Sequence, residues 1–311
     1  MNQILKVSRT VFLILATLIF VVASPGCKKS DAVTRNSEMP RYASFRDIPG
    51  VTDDEIKAVE EFRRKYSFFI YGSNPATEAF TDRDGKISGF SVLFCEWLTE
   101  LFGIQFKPAL YEWNELIDGL ESGAIDFTGD LTATEERRKT SVDDQDHIYF
   151  MTDAIASRVI KLIRHVDSMP LIDVAALRPL RYAFLRGTTT ENEIKLHSNE
   201  EFKSIFIDDY SEAYDLLKSD KVDAFIDEGP AEAAFDVYGD IVARDFFPLI
   251  FSPVSLSTQK KELESVISVV QKALEGGGIQ YITYLYNLGH EAYVKHKLSL
   301  QITDEELTYI K

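Results

Sequence analysis

The stretch LESGAIDFTGD, Leu120–Asp130, is echoed by LKSDKVDAFID, Leu217–Asp227. Leu120, Ser122, Ile125, Asp126 and Asp130 correspond to Leu217, Ser219, Val222, Asp223 and Asp227 at identical spacing. Each copy closes a helical pattern, turns through polar residues, and enters a short apolar stub that ends in an acid. A chain that carries this layout twice has to build the same helix-to-strand unit twice, which already limits the folds open to it.

The flanking patterns agree. TDDEIKAVEEFRRK, Thr52–Lys65, reads as a helix, with Thr52 as cap, acids in the first turn and bases in the last. FFIYG is a strand, and DRDGKISGF is a hairpin-like turn with Asp84-Gly85 at its tip. SVLFCEWLTELFG is an amphipathic helix that Gly103 stops, with Cys95 on its apolar face as a plain core residue. A strand at Ile104–Ala109, a helix at Trp113–Ser122 and a strand at Ile125–Thr128 follow. The second half repeats the alternation: the strand of LRYAFL, a turn at Gly187, a helix for which Thr190 and Glu193 fit a capping box, then SIFID, YSEAYDLLKS and KVDAFID as strand, helix and strand. Two long helical patterns, Lys260–Glu275 and Ile279–Lys297, are split by Gly276–Gly278. Strands alternating with helices predict an α/β fold with parallel sheets, here in two lobes.

With 311 residues, 45% of them hydrophobic, the chain can bury a substantial core. Its net charge of −16 argues against nucleic acid as a partner, because the phosphates would be repelled. Two cysteines, Cys27 and Cys95, imply no disulfide framework, and five scattered histidines offer no metal-ligand spacing. No cofactor motif is present. At the N-terminus Lys6 and Arg9 precede an apolar run, Val11–Ala23, that is short for a membrane span and is followed by small residues. That is the pattern of an export signal. Gly26-Cys27 resembles the lipobox of bacterial lipoproteins, which implies lipidation at Cys27 and a membrane anchor. Lys28–Pro40 is polar and aperiodic and reads as a tether.

In open α/β sheets ligands bind beyond the C-terminal ends of the strands. Asp130 and Asp227 both fall there. The first loop adds the hydroxyl and N–H of Thr132 and the guanidinium of Arg137; the second adds Glu228. Gly187-Thr188-Thr189 lies between a strand and a helix N-terminus, where free N–H groups favour anions. Singly, Arg137 in EERRKT is a solvated charge and Asp130 a turn residue. Their recurrence at strand ends points to a cleft with anion partners on one side and cation partners on the other. An α-amino acid requires both: a guanidinium for its carboxylate and a carboxylate for its ammonium.

These segments resemble the bacterial extracellular solute-binding proteins of family 3, which bind polar amino acids. IDFTGDLTATEER is similar to the family's strand Asp, apolar stretch and Thr-x-Glu-Arg run, with Thr132, Thr134, Glu136 and Arg137 in register. The resemblance implies that Thr132 and Arg137 hold the ligand carboxylate, together with Thr188 and Thr189 of GTTT. It implies that Glu228, in VDAFIDEGP, meets the α-amino group, with Asp227 beside it reading the side chain. Trp113 matches a stacking aromatic, and Phe80, in TEAFTDRDGKISGF, the aromatic of the first turn. Asp130 stands where the family usually has Gly, and Glu228 where it usually has the shorter Asp.

The resemblance further implies a two-lobed periplasmic-binding-protein fold with two hinge crossings, near SRVIKLI and FPLIFSPVS. The expected divisions are residues 1–27 as signal, 28–65 as tether and first helix, 66–156 plus 248–311 as one lobe, and 157–247 as the other. The implied role is capture of a small polar ligand outside the cytoplasm for an ABC importer. DIPGVTDDEI and FCEWLTELFGI also resemble periplasmic sensor domains, which implies a membrane receptor as the alternative partner to a permease. Some relatives of the fold are dehydratases, and Asp130 with Glu228 could act as acid and base. Without a nucleophile constellation or phosphate loop, binding is the expectation and catalysis is not.

Overall fold

The computed structural model describes residues 40–138, 149–198 and 201–301. The export signal, Cys27 and most of the tether lie outside the described residues. The first long helix, α1 (Asp53–Lys65), starts as its sequence demands. Thr52 accepts from the Glu55 amide while Glu55 accepts from the Thr52 amide, so two otherwise unpaired helix-end donors are satisfied reciprocally. Three acids in the first turn and three bases in the last oppose the helix dipole correctly.

The rest of the first half comprises β1 (Phe68–Ser73), β2 (Phe80–Thr81), β3 (Ile87–Ser88), α2 (Phe90–Phe102), β4 (Gln105–Leu110), α3 (Trp113–Ser122), β5 (Phe127–Leu131) and the short α4 (Glu135–Arg138). A 16-residue strand, β6 (Phe150–His165), leads into α5 (Leu171–Ala175), β7 (Leu180–Leu185), α6 (Thr190–His197), β8 (Phe202–Ile207), α7 (Tyr210–Lys218) and β9 (Ala224–Glu228). After a 3-10 segment, Gly229–Phe235, come β10 (Ile241–Asp245), β11 (Phe251–Thr258), α8 (Glu264–Ala273) and α9 (Ile279–Gln301).

Among the described residues the main sheet runs β4-β1-β5-β11-β6-β9-β7-β8, with β10 on β6. β4, β1 and β5 are parallel to one another, as are β9, β7 and β8. Between these trios lie β11 and β6, antiparallel to each other and to the trio strands they touch. The first part of β6, Phe150–Val159, pairs with β11, and the next part, Ile160–Ile163, with β9. β6 therefore belongs to both parallel units. The fold is mixed α/β, with parallel-rich sheets flanked by helices. A large aromatic core under α1, α2, α8 and α9 contains Phe69, Phe94, Phe102 and Phe127; Cys95 sits in it, and burial pushes its thiol pKa well up. A second core joins Trp113, Leu116 and Ile125 of the first half to Ile163, Ala183 and Phe225 of the second.

The repeat has a structural counterpart. Asp126 accepts from the Ile70 amide at 2.6 Å and donates its own amide to Ile70 O at 3.0 Å. Asp223 does the same with Arg181, at 2.8 Å in both directions. Each acid thus precedes its strand and ties it to the next parallel one. Leu120 and Ile125, and Leu217 and Val222, are the buried apolar anchors of the two copies.

Some boundaries differ from those expected. β5 continues to Leu131, because Ser255 of β11 pairs with Leu131, so Asp130 lies within the strand rather than past it. Glu228 lies within β9, paired with Ile160. The capping box expected of Thr190 and Glu193 does not form: Thr189 is the cap, and no side chain bonds the helix end. The penultimate helix starts at Glu264, after a 3-10 turn at Lys261–Leu263, rather than at Lys260.

Candidate functional site

The C-terminal ends of β5 and β9 and the turn after β7 converge on a small pocket that opens to solvent. Asp130, Asp227 and Glu228 line it, as do Trp113, Thr132, Arg137, Thr188 and Thr189. Phe80 does not. Its ring stacks on His296 and meets Tyr293 edge-on, so it joins the β2–β3 turn to α9.

Arg137 spans the pocket mouth. One terminal nitrogen donates to Thr132 O at 2.9 Å, and the other to Gly187 O at 3.2 Å. The guanidinium has five N–H donors. Two are engaged this way among the described residues. Burial lowers its pKa from an ordinary value so high that the group stays charged. Gly187 turns at φ 80°, a conformation that favours glycine, and so aims its carbonyl at Arg137. Trp113 donates its indole N–H to Arg186 O at 2.9 Å, which fixes the ring beside this turn.

The hydroxyls are less free than their sequence positions imply. Thr188 donates to Leu185 O at 2.8 Å and closes its own turn. Ser252 of β11 donates to Glu228 Oε1 at 2.6 Å. Its single proton thus committed, Ser252 can only accept from Thr132, whose Oγ1 is 3.1 Å away. The order Thr132 to Ser252 to Glu228 points the Thr132 proton away from an anion in the pocket.

Arg158, in the middle of β6, is the residue that sequence reasoning missed. Its side chain is 6% exposed and faces three carboxylates. It donates through Nε to Glu78 Oε1 at 3.0 Å, through Nη1 to Glu228 Oε2 at 2.7 Å, and through Nη2 to Asp130 Oδ1 at 2.6 Å. Nη2 also reaches Glu78 Oε2. Burial alone would lower its pKa, but Glu78, Glu228 and Asp130 outweigh that and hold it well above the usual value. Tyr286 donates to Glu78 Oε1 at 2.8 Å, and the Asn74 amide to Asp130 Oδ2 at 2.8 Å. Asp130 and Glu228 therefore already hold a cation. One positive charge faces three negative ones in this cluster, which leaves it net negative. The signal available in the sequence was an Arg inside the apolar run of β6, where a charge needs buried partners.

Asp227 stands apart from that network. Its Oδ1 accepts from the Glu228 amide at 2.8 Å, while Oδ2 is buried with no hydrogen-bond partner among the described residues. Burial, then the charge of Glu228, pushes its pKa up to about 7; the Glu228 amide, Arg158 and Tyr210 offset only part of this. Asn74 donates through Nδ2 to Tyr210 Oη at 2.8 Å, and its Oδ1 is likewise buried and unpartnered. Burial keeps the Tyr210 phenol neutral, its pKa well above the usual value. Among the described residues no group of His, Cys, Asp or Glu could hold a metal ion.

The chain matches the bacterial extracellular solute-binding proteins, family 3, over residues 68–228, more than half of its length. It belongs to that family. As a family 3 member it is similar in fold to an amino acid ABC transporter substrate-binding protein from Streptococcus pneumoniae bound to L-arginine. That likeness has 19% identity and a TM-score of 0.55 and covers 75% of this chain and 98% of that one. It is also similar to the B. pertussis BvgS periplasmic domain, at 16% identity and a TM-score of 0.61, over 82% of this chain and 49% of that one. A third likeness is to an ancestral amino acid-binding protein, a precursor of cyclohexadienyl dehydratase, at 18% identity and a TM-score of 0.51, over 73% of this chain and 98% of that one. No curated protein matches the chain. Among the described residues of this family 3 protein, no helix is long and apolar enough to cross a membrane.

Proposed function

We propose that the chain captures a small α-amino acid between two lobes, about 66–156 plus 248–311 and about 157–247, and presents the closed form to an ABC importer. The observation that carries this reading is a single pocket offering Arg137 at one side and buried acids at the other, as a zwitterion requires. Arg137, the Thr132 and Thr189 backbone and the start of α6 serve the carboxylate, and Trp113 packs against the ligand. Family membership and the likeness to an arginine-bound substrate-binding protein support it. Lipidation of Cys27 would hold the protein at the membrane after export.

Thermal unfolding of the purified protein against the twenty L-α-amino acids, polyamines and small carboxylates tests the reading. A ligand at about 100 times its dissociation constant adds roughly 2.7 kcal/mol and raises the melting temperature measurably. A shift confined to α-amino acids is expected; shifts with carboxylates lacking an amine, and none with amino acids, would refute it. A sensory role is the second reading. It is supported by the resemblance of DIPGVTDDEI to periplasmic sensor domains and by the fold likeness to the BvgS periplasmic domain. Uptake of the labelled ligand by cells lacking the protein separates the two: lost uptake supports the importer, unchanged uptake the sensor. The dehydratase relationship does not favour catalysis here, since Arg158 engages the acids that would serve as acid and base.

A further inference from the structure

Two acids expected to receive a ligand ammonium, Asp130 and Glu228, are already bonded to the chain's own guanidinium. Two other buried acceptors lining the same pocket have no hydrogen-bond partner among the described residues: Asp227 Oδ2 and Asn74 Oδ1. The residues are 5% and 7% exposed, so neither atom is satisfied by bulk water. An unsatisfied buried acceptor is costly, the more so when it is charged. Two of them lining one pocket form a seat shaped for a donor that arrives with a ligand.

We propose that Asp227 Oδ2 and Asn74 Oδ1 form the cation seat of this pocket, and that Arg158 occupies the space between Asp130 and Glu228 and closes those acids to the ligand. The inference rests on the amino acid reading and refines it. Charge balance supports it, because the Arg158 cluster is net negative even with Arg158 in place. An ammonium has three donors. Asp227 and Asn74 take two of them, and the acidic cluster behind adds favourable potential without direct contact.

The seat also couples capture to proton release. Asp227 is faced by Glu228 on its own strand, by Arg158 on β6, and by Tyr210 from α7. Lys161 lies opposite it in register, with its ammonium held by Glu232 at 2.7 Å. Asp130 of β5 lines the same pocket, bonded to Arg158. Tyr210 acts on the carboxyl as a donor, yet no group among the described residues meets Oδ2 at hydrogen-bonding distance and angle. The carboxyl is therefore largely protonated below about pH 7. An arriving ammonium displaces that proton; a ligand without an amine does not.

The test is calorimetric titration of the full-length protein with the twenty L-α-amino acids, and of each binder's α-hydroxy acid counterpart, such as L-lactate beside L-alanine. These pairs share the carboxylate and differ at the amine. In Asp227→Asn the amino acid is expected to lose at least tenfold in affinity and the hydroxy acid less than threefold. In Glu228→Gln, which loosens Arg158, both are expected to weaken alike and keep their ratio. Loss of discrimination in Glu228→Gln, with discrimination retained in Asp227→Asn, would place the ammonium on Glu228 and overturn the inference. Wild-type protein alone gives a second reading, independent of how either variant folds. At pH 6.5, in buffers of differing ionisation enthalpy, an amino acid should release most of a proton and a hydroxy acid none; equal release for both overturns the proposal. If the wild type binds no amino acid, the amino acid reading itself fails and this inference falls with it, a result distinct from binding with the wrong variant pattern.

Discussion

Burying Arg158 beside Glu78, Asp130 and Glu228 removes four charges from water together, which is tolerable only while all of them stay paired. Arg158→Ala leaves three carboxylates facing one another and should destabilise the protein by about 3–5 kcal/mol, read from denaturant unfolding at pH 7. Asp227 is the opposite case, a buried acid without a cation. Its pKa rises from the ordinary 3.8 to about 7 on folding, so between these values the folded state holds a proton that the unfolded state has lost. Stability therefore falls as pH rises through this window, by roughly 4 kcal/mol at most. Asp227→Asn should raise the melting temperature of the ligand-free protein at pH 8 and have little effect near pH 4, where Asp227 is already neutral. A variant that destabilises at both pH values would show that the carboxylate is satisfied. Of the residues read as ligand contacts, the placing of Thr132 and Arg137 at the pocket was legible from motif and strand position. The commitment of the Thr132 proton to Ser252, 120 residues away, was not.

At the level of elements, the repeated helix-turn-strand unit works because each copy carries its own clamp. Asp223 ties β9 to β7 and is bonded by Arg178 and Arg181. Although burial opposes it, these guanidiniums hold its carboxyl well below the usual carboxylate range. Stability from this clamp is present above the unfolded value near 4 and is lost as pH falls below it. Asp223→Asn keeps the shape and removes the charge; it should cost about 1–3 kcal/mol at pH 7 and progressively less towards pH 2, measured by urea unfolding. In the first copy, Gly129 lets β5 pass Tyr71, since a Cβ there would lie 2.1 Å from the Tyr71 hydroxyl. Tyr71 is fully buried and cannot step aside, so Gly129→Ala should cost about 1–3 kcal/mol by the same assay. Helix starts such as Thr52 with Glu55 were legible because capping is a contact between near neighbours. The ends of β5 and β9 were not, because pairing with β11 and β6 extends them.

Across the whole molecule, polar contacts bridge the two parallel units at the pocket. Arg137 reaches Gly187 O, Trp113 reaches Arg186 O, Asn74 reaches Tyr210, and the Thr77 amide donates to Pro230 O at 2.9 Å. These bonds cross between the two units, which β6 joins by pairing with β11 and with β9. Arg137→Ala should do two things. On the proposed role, carboxylate capture should weaken at least a hundredfold, since a charged donor is lost. The ligand-free protein should also expand, visible as a larger radius of gyration in solution scattering. Retained affinity would move the clamp to another group.

The alternation of strand and helix, the duplicated unit, the Thr52 cap and the family segments were all set by local spacing and near-neighbour chemistry, which a linear sequence displays directly. So was the gathering of acids and one arginine at strand ends, because strand polarity decides which end faces the cleft. The tertiary structure alone decided how those groups are shared. Arg158 meets Asp130, Glu228 and Glu78 from 28, 70 and 80 residues away. No periodicity records such distances, and the protonation of a carboxylate depends on which neighbour reaches it first. Among the described residues that competition, settled by β6 passing between the two units, leaves Asp227 Oδ2 without a hydrogen bond and Glu228 engaged.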